Sequence, residues 1–176
     1  MVILGIDPGL SITGYAAIQA ESLGVGGFEV VEAGVFRFDR RRLISNRLEE
    51  LQTDLTSLIE RTRPACMCVE SLFAHFGHPR TAIVMAHARG VILLTAAKFR
   101  LPLVEISPAT VKKAVTGNGR ATKAQMQYAV AAVLGLPSLP KPADVADAIA
   151  VAMCGSRRFA GAAAERGPAS PRVKKR

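Results

Sequence analysis

Four carboxylates in this chain sit where an acid is costly to bury. Asp7 ends the apolar run VILGID, residues 2–7, and Glu70 ends CMCVE, residues 66–70. Asp144 and Asp147 stand three apart in ADVADAIAVA, residues 143–152, whose other members are all Ala, Val and Ile. That spacing puts both on one helix face, and a helix this apolar is a buried one. A buried charge needs a partner or a cation. Two acids in a first turn also complement the helix dipole, so that pair alone has two readings. Taken together, four acids with no matching set of bases suit hard divalent cations, which prefer oxygen ligands. Without a cation such acids repel and raise one another's pKa. Two Mg²⁺ ions roughly 4 Å apart can activate water and stabilise the leaving oxygen of a phosphodiester. The expected chemistry is therefore phosphoryl transfer on a polyanion.

The elements that must position these acids follow from the pattern of the chain. Residues 2–7 read as a strand buried on both faces. Residues 12–20 and 28–38 read as two more, the second broken near Gly34, with short turns that predict an antiparallel meander. Residues 43–60 form an amphipathic helix whose stripe is Leu43, Ile44, Leu48, Leu51, Leu55, Leu58 and Ile59. Pro64 ends it. Residues 66–70 are a fourth strand, 79–98 an apolar helix, and 103–106 a fifth strand. Ser107-Pro108 is an N-cap with proline at the first helical position, opening a short helix to about residue 115. TGNGR, residues 116–120, is a loop. Thr122 caps a helix to about residue 134, and a proline-rich connector leads to a last helix over 143–157. The order predicts an α/β fold, a five-stranded mixed sheet with helices on both faces. The strand ends of such a sheet are where sites form.

The chain has 176 residues, enough for one domain with a proper core. It carries a net charge of +9, mostly in its last part. Residues 156–176 hold seven basic residues and one acid, against sixteen and thirteen in the rest. The expected division is a domain over 1–157 and a flexible basic tail over 158–176. Such a tail attracts polyanions and equally serves solubility. The start lacks a basic segment before its apolar residues, so no signal peptide is expected. No apolar run of membrane-spanning length is expected either. Cys66, Cys68 and Cys154 are expected as buried, reduced thiols in a cytoplasmic protein, with Cys66 and Cys68 on opposite faces of their strand.

At this point the residues are familiar ones. LGIDPGLSITGY (4–15), VESLF (69–73), ARGVILL (88–94), VKKAVTGNGRATKAQ (111–125) and ADVADAIAVA (143–152) resemble the RuvC family of Holliday-junction resolvases, which have the ribonuclease-H-like fold. The resemblance covers about residues 1–155. IDPG alone also occurs in sugar kinases and actin-like ATPases of the same superfold. Four acids in this order with TGNGRATK between them are specific.

The resemblance implies that Asp7, Glu70, Asp144 and Asp147 are the catalytic metal ligands. It implies two Mg²⁺ per site, with Mn²⁺ as a substitute, and products with 5′-phosphate and 3′-hydroxyl ends. Lys112 and Lys123 match family lysines near the cleft, Lys123 facing the scissile phosphate and Lys112 another backbone phosphate. Lys113 can share the role of Lys112, and Arg120 in the glycine-rich loop is a further phosphate contact. Phe73 matches an aromatic that stacks at the junction centre, with Phe76 as its competitor. The helix 79–98 matches the family's two-fold dimer interface. The implied partners are four-way junction DNA, a second copy, and a branch-migration complex made of a junction-binding tetramer and a hexameric motor ATPase. No membrane is implied.

The chain departs from the family at AHFGHPR, residues 74–80, where Ala-Lys-Asn commonly follows the phenylalanine. Ala86-His87 replaces the usual Gly-Gln. His75, His78 and His87 are read as surface or interface residues or new DNA contacts, in preference to metal ligands, because the carboxylates already suffice. Two other functions fit parts of the pattern: a related nuclease acting on structured RNA, and a non-catalytic junction-binding protein. An actin-like phosphotransferase would need a second phosphate loop and a second lobe, for which the chain is too short.

Overall fold

The computed structural model describes residues 1–21, 27–71 and 79–166. Three strands open the chain, β1 (Val2–Asp7), β2 (Ile12–Ala20) and β3 (Phe28–Arg37). Then follow α1 (Ile44–Thr62), β4 (Cys66–Glu70), α2 (Pro79–Lys98), β5 (Leu103–Ile106), α3 (Pro108–Thr116), α4 (Lys123–Leu134) and α5 (Ala143–Arg166). The element order matches the expectation from the sequence. The five strands form one sheet in the order β3-β2-β1-β4-β5. β1–β2 and β2–β3 pair antiparallel, while β1–β4 and β4–β5 pair parallel.

The period of two along each strand sorts the core into two layers. Leu4, Ile6, Met67 and Val69 face α1 and α2, where Leu51, Leu55, Leu58 and Ile92 cover them. Ile3, Cys66 and Cys68 face the other way, against α5 and its Val145, Ile149, Val151 and Ala152. Asp7 and Glu70 continue this second set, so both acids project toward α5.

Several expectations change. Cys66 and Cys68 lie on one face, their Sγ atoms 3.9 Å apart. Residues two apart on a strand point the same way, so the opposite-face assignment was wrong. β3 runs unbroken through Gly34, and the irregularity lies across from Ala17 and Ile18, where Val31 is the extra residue. α5 continues to Arg166, nine residues past the expected end, because FAGAAAER keeps strong helix formers after the buried stretch. The α1 stripe is also shorter than its pattern: Leu43 is 72% exposed and Ile44 41%.

Thr81–Lys98 within α2 is long and apolar enough to cross a membrane by composition alone. The expectation of no such run overlooked it. In the fold this helix lies against α1 and the sheet, with Ala88, Ile92, Thr95 and Ala96 buried.

Candidate active site

All three acid-bearing elements meet at one end of the sheet. The β1–β4 register pairs Gly5 with Cys68 and Ile6 with Val69. One step further along the same ladder, Asp7 comes level with Glu70. α5 then has to reach both, and two glycines let it. Opposite Asp7 in the β1–β2 ladder is Gly14. A Cβ on Gly14 would run into the backbone carbonyl of Asp144, and one on Gly5 into that of Ala148. The first turns of α5 therefore rest directly on β2 and β1, which sets Asp144 and Asp147 over the strand ends.

The acids feel one another. Burial pushes the Asp7 carboxyl well above the usual range, and the charges of Glu70, Asp147 and Asp144 push it further. Burial raises Glu70 to about 7, with Asp147 adding to the rise, while Lys112 and Lys123 oppose it. Asp147 is also raised, chiefly by burial, against the pull of Lys123. Lys123 Nζ stands 3.8 Å from Asp144 Oδ1 and 3.8 Å from Asp147 Oδ2.

Among the described residues no three acid, histidine or cysteine side chains stand close enough to grip one ion as they lie. Half-buried acids that raise one another's pKa favour a counter-charge. The donor set is all oxygen. That chemistry fits a hard divalent cation that draws the carboxylates in.

Two caps place the lysines. Ser107 Oγ accepts from Thr110 N at 3.3 Å and starts α3, which carries Lys112 in its second turn. Thr122 and Gln125 form a reciprocal capping box at the start of α4. Lys123 is thus held at the first position of a helix, where the dipole disfavours a cation. The acids beside it offset that cost.

The RuvC family model, described as Crossover junction endodeoxyribonuclease RuvC, matches residues 3–155. The chain belongs to the RuvC family. It is 48% identical over 153 residues to the Crossover junction endodeoxyribonuclease RuvC of Rhodopirellula baltica, covering 87% of this chain and 84% of that one. It is 45% identical to the protein of the same name from Desulforamulus reducens over 154 residues, 88% of this chain and 92% of the relative. Among solved structures, Thermus thermophilus RuvC superposes with a TM-score of 0.81 at 27% identity, over 92% of this chain and 97% of that one. The same protein in complex with a Holliday junction substrate gives 0.80 at 24% identity, over 90% and 95%. The ribonuclease-H-like α/β fold expected from the sequence is the fold of this RuvC member.

Of the residues singled out in the sequence, the structure brings Asp7, Glu70, Asp144, Asp147, Lys112 and Lys123 into one electrostatic neighbourhood. Lys113 and Arg120 are exposed and are not among the charges that Asp7, Glu70 and Asp147 feel, Arg120 lying on the loop that Asn118 Oδ1 closes by accepting from its backbone N–H at 3.0 Å. His87 is exposed, with Nδ1 2.7 Å from the Ile83 carbonyl. Phe73, Phe76, His75 and His78 lie outside the described residues, as do the last ten residues of the basic tail.

Sequence reading passed over the residues that hold the acids in place. Arg89 on α2 donates through Nη1 to the Glu70 carbonyl at 2.9 Å and pairs with the Glu105 carboxylate on β5. It thereby ties the end of β4 to α2 and β5. Beyond Asp7, buried Thr13 donates to the Gly9 carbonyl and accepts from the Gly9 N–H at 3.3 Å. Arg47, also buried, donates to the Leu10 carbonyl. For Arg89 the signal was an arginine within an otherwise apolar helical stretch, AHARGVILL; Thr13 and Arg47 carry no such mark.

Proposed function

We propose that this RuvC family member resolves four-way DNA junctions by paired, symmetric nicks, using two Mg²⁺ ions per site and leaving 5′-phosphate and 3′-hydroxyl ends. The observation that carries this reading is the meeting of Asp7, Glu70, Asp144 and Asp147, from three elements, at one end of the sheet. These four would hold the cations. When bound, the cations activate water and offset the charge on the leaving oxygen. Lys123 is exposed, and its 3.8 Å contacts leave it able to turn to the scissile phosphate. Lys112, half-buried one turn into α3, supplies a second positive charge toward the DNA backbone, and Lys113 and Arg120 extend that strip. Resemblance supports Phe73 as the aromatic that stacks at the junction centre.

Two cuts need two sites, and α2 supports a dimer. Ile83 is 57% exposed and Leu94 55%, and with Leu48, Ala86, His87, Gly90 and Val91 they line one shallow apolar groove. A second copy related by a two-fold axis would cover it. On this reading the protein works in the cytoplasm with a branch-migration complex.

The test is cleavage of a labelled four-way junction beside a linear duplex of the same sequence, in Mg²⁺ and in EDTA. Paired nicks in the junction alone, and only with metal, are expected. Binding without nicks would favour a binding protein. Indifference to the junction would redirect the search to structured RNA.

A further inference from the structure

A second basic group reaches the same end of the sheet, on the side away from Lys112. Strand order puts β5, and α3 after it, at one edge, β4 and β1 with Glu70 and Asp7 in the middle, and β2 and β3 at the other edge. Phe38 N donates to the Ser11 carbonyl at 3.0 Å, so the loop after β3 folds beside the turn that follows Asp7. There Arg40 Nε donates to Ser11 Oγ at 2.9 Å, and Arg47 Nη2 stands 3.5 Å from the same oxygen. Two guanidinium groups converge on one neutral hydroxyl.

The acids of this region are already engaged. Asp39 is held by Arg41 at 2.8 Å and Glu50 by Arg42 at 2.7 Å. Among the described residues Arg40 and Arg47 make no ion pair, and the buried Nε of Arg47 has no hydrogen-bond partner. Arg40 is exposed and Ser11 partly so. Asp39 feels the charge of Arg47 but is bonded to Arg41, and two guanidinium groups with no ion pair of their own, beside a hydroxyl, match what a phosphate oxygen accepts from. Arginine and serine side chains are common donors to nucleic-acid backbones.

We propose that Ser11 and Arg40, backed by Arg47, form a second phosphate-binding site for the DNA backbone, on the β2–β3 side of Asp7 and Glu70, away from Lys112 on α3. This rests on the junction-nuclease reading. With basic groups on both sides of the acids, a strand laid over the sheet end is gripped before and after the phosphate to be cut. Such a grip fixes which phosphate lies over the acids.

The experiment is equilibrium binding of a labelled four-way junction in EDTA, across about 50–200 mM salt, for the full chain and its Arg40→Ala, Arg40→Lys and Lys123→Ala variants. Arg40→Ala is expected to weaken binding about threefold to tenfold and to lower the slope of log affinity against log salt by about 0.9, one phosphate contact. Arg40→Lys should recover most of that slope, and thermal unfolding should not change. An unchanged slope in Arg40→Ala overturns the proposal, even if cutting falls, because Arg40 then only braces the turn. If Lys123→Ala weakens binding while Arg40→Ala does not, the junction reading stands and this site does not. If the unaltered protein shows no binding to the junction, that reading falls and this site falls with it.

Discussion

Gly14 lies so close beneath the Asp144 carbonyl that the space for a Cβ is already taken by backbone. The clash cannot be relieved by turning a side chain, since the nearest atoms, the Asp144 carbonyl oxygen and carbon, are main chain. Gly14→Ala should therefore lift the first turn of α5 from β2 and move Asp144 and Asp147 away from Asp7. Overpacking of this kind costs about 1–3 kcal/mol, which a protein of this size can survive. Cutting should fall at least about a hundredfold, since displacements of about 1 Å carry losses of that order. Junction cleavage and thermal unfolding measured side by side would check this. Full activity with a wild-type melting curve would mean that α5 has slack the packing does not suggest.

Asp7→Asn should separate stability from function. Burial is the main force raising the Asp7 carboxyl, and three neighbouring acids add to it. A neutral amide of the same shape removes that charge. In EDTA, at a pH high enough to ionise Asp7, the variant should melt at a higher temperature than the unaltered protein, and added Mg²⁺ should stabilise it less. It should bind the junction and not cut it. Equal cutting would remove Asp7 from the metal site.

Arg89 is tied to the site through the Glu70 carbonyl. Its side chain is 12% exposed, and it bonds the Glu70 carbonyl at 2.9 Å. A hydrogen bond from a charged group is worth about 1.5–3 kcal/mol. Arg89→Ala should reduce cutting about tenfold to a hundredfold at low Mg²⁺ and raise the Mg²⁺ needed for half-maximal rate. Junction affinity in EDTA should hold. Arg89→Lys should restore part of the metal response. A loss of rate that no concentration of Mg²⁺ relieves would point to damage of another kind.

Much of this site was legible because its signals are local. An acid at the end of an apolar strand, or in the first turn of an apolar helix, stands out against its neighbours. Ser107-Pro108 and Thr122 marked two helix starts by their capping chemistry. What stayed hidden depends on pairs far apart in the chain. Nothing near Gly14 says that Asp144 will rest on it, and nothing near Arg89 names Glu70 and Glu105 as its partners. Leu43 and Ile44 fit the helical period, yet the core does not extend far enough to cover them. α5 outruns its expected end because SRRFAGAAAER loses the periodic apolar pattern by which a helix is read, while its alanines, glutamate and arginines still favour helix.

The raised acids also set how stability should vary with pH. Glu70 titrates at about 7 in the fold, against an ordinary value of 4.5, chiefly because it is buried and next because Asp147 is near. Its folded-state pKa lies above the unfolded one, so the folded protein holds the proton more tightly. That contribution to stability is complete below about pH 4.5 and is lost as pH rises through about 7. For Glu70 alone the loss amounts to roughly 3 kcal/mol once ionisation is complete. Asp7 and Asp147 shift in the same direction. In EDTA the melting temperature should therefore fall between about pH 5.5 and 8. A divalent cation binds the ionised acids, so its affinity should rise over the same interval and recover the stability lost. Melting curves across this range, with EDTA and with Mg²⁺, decide the matter. Glu70→Gln should flatten the EDTA profile. A profile that rises with pH in EDTA, or ignores Mg²⁺ at pH 8, would mean that these carboxylates are not the ones that meet the metal.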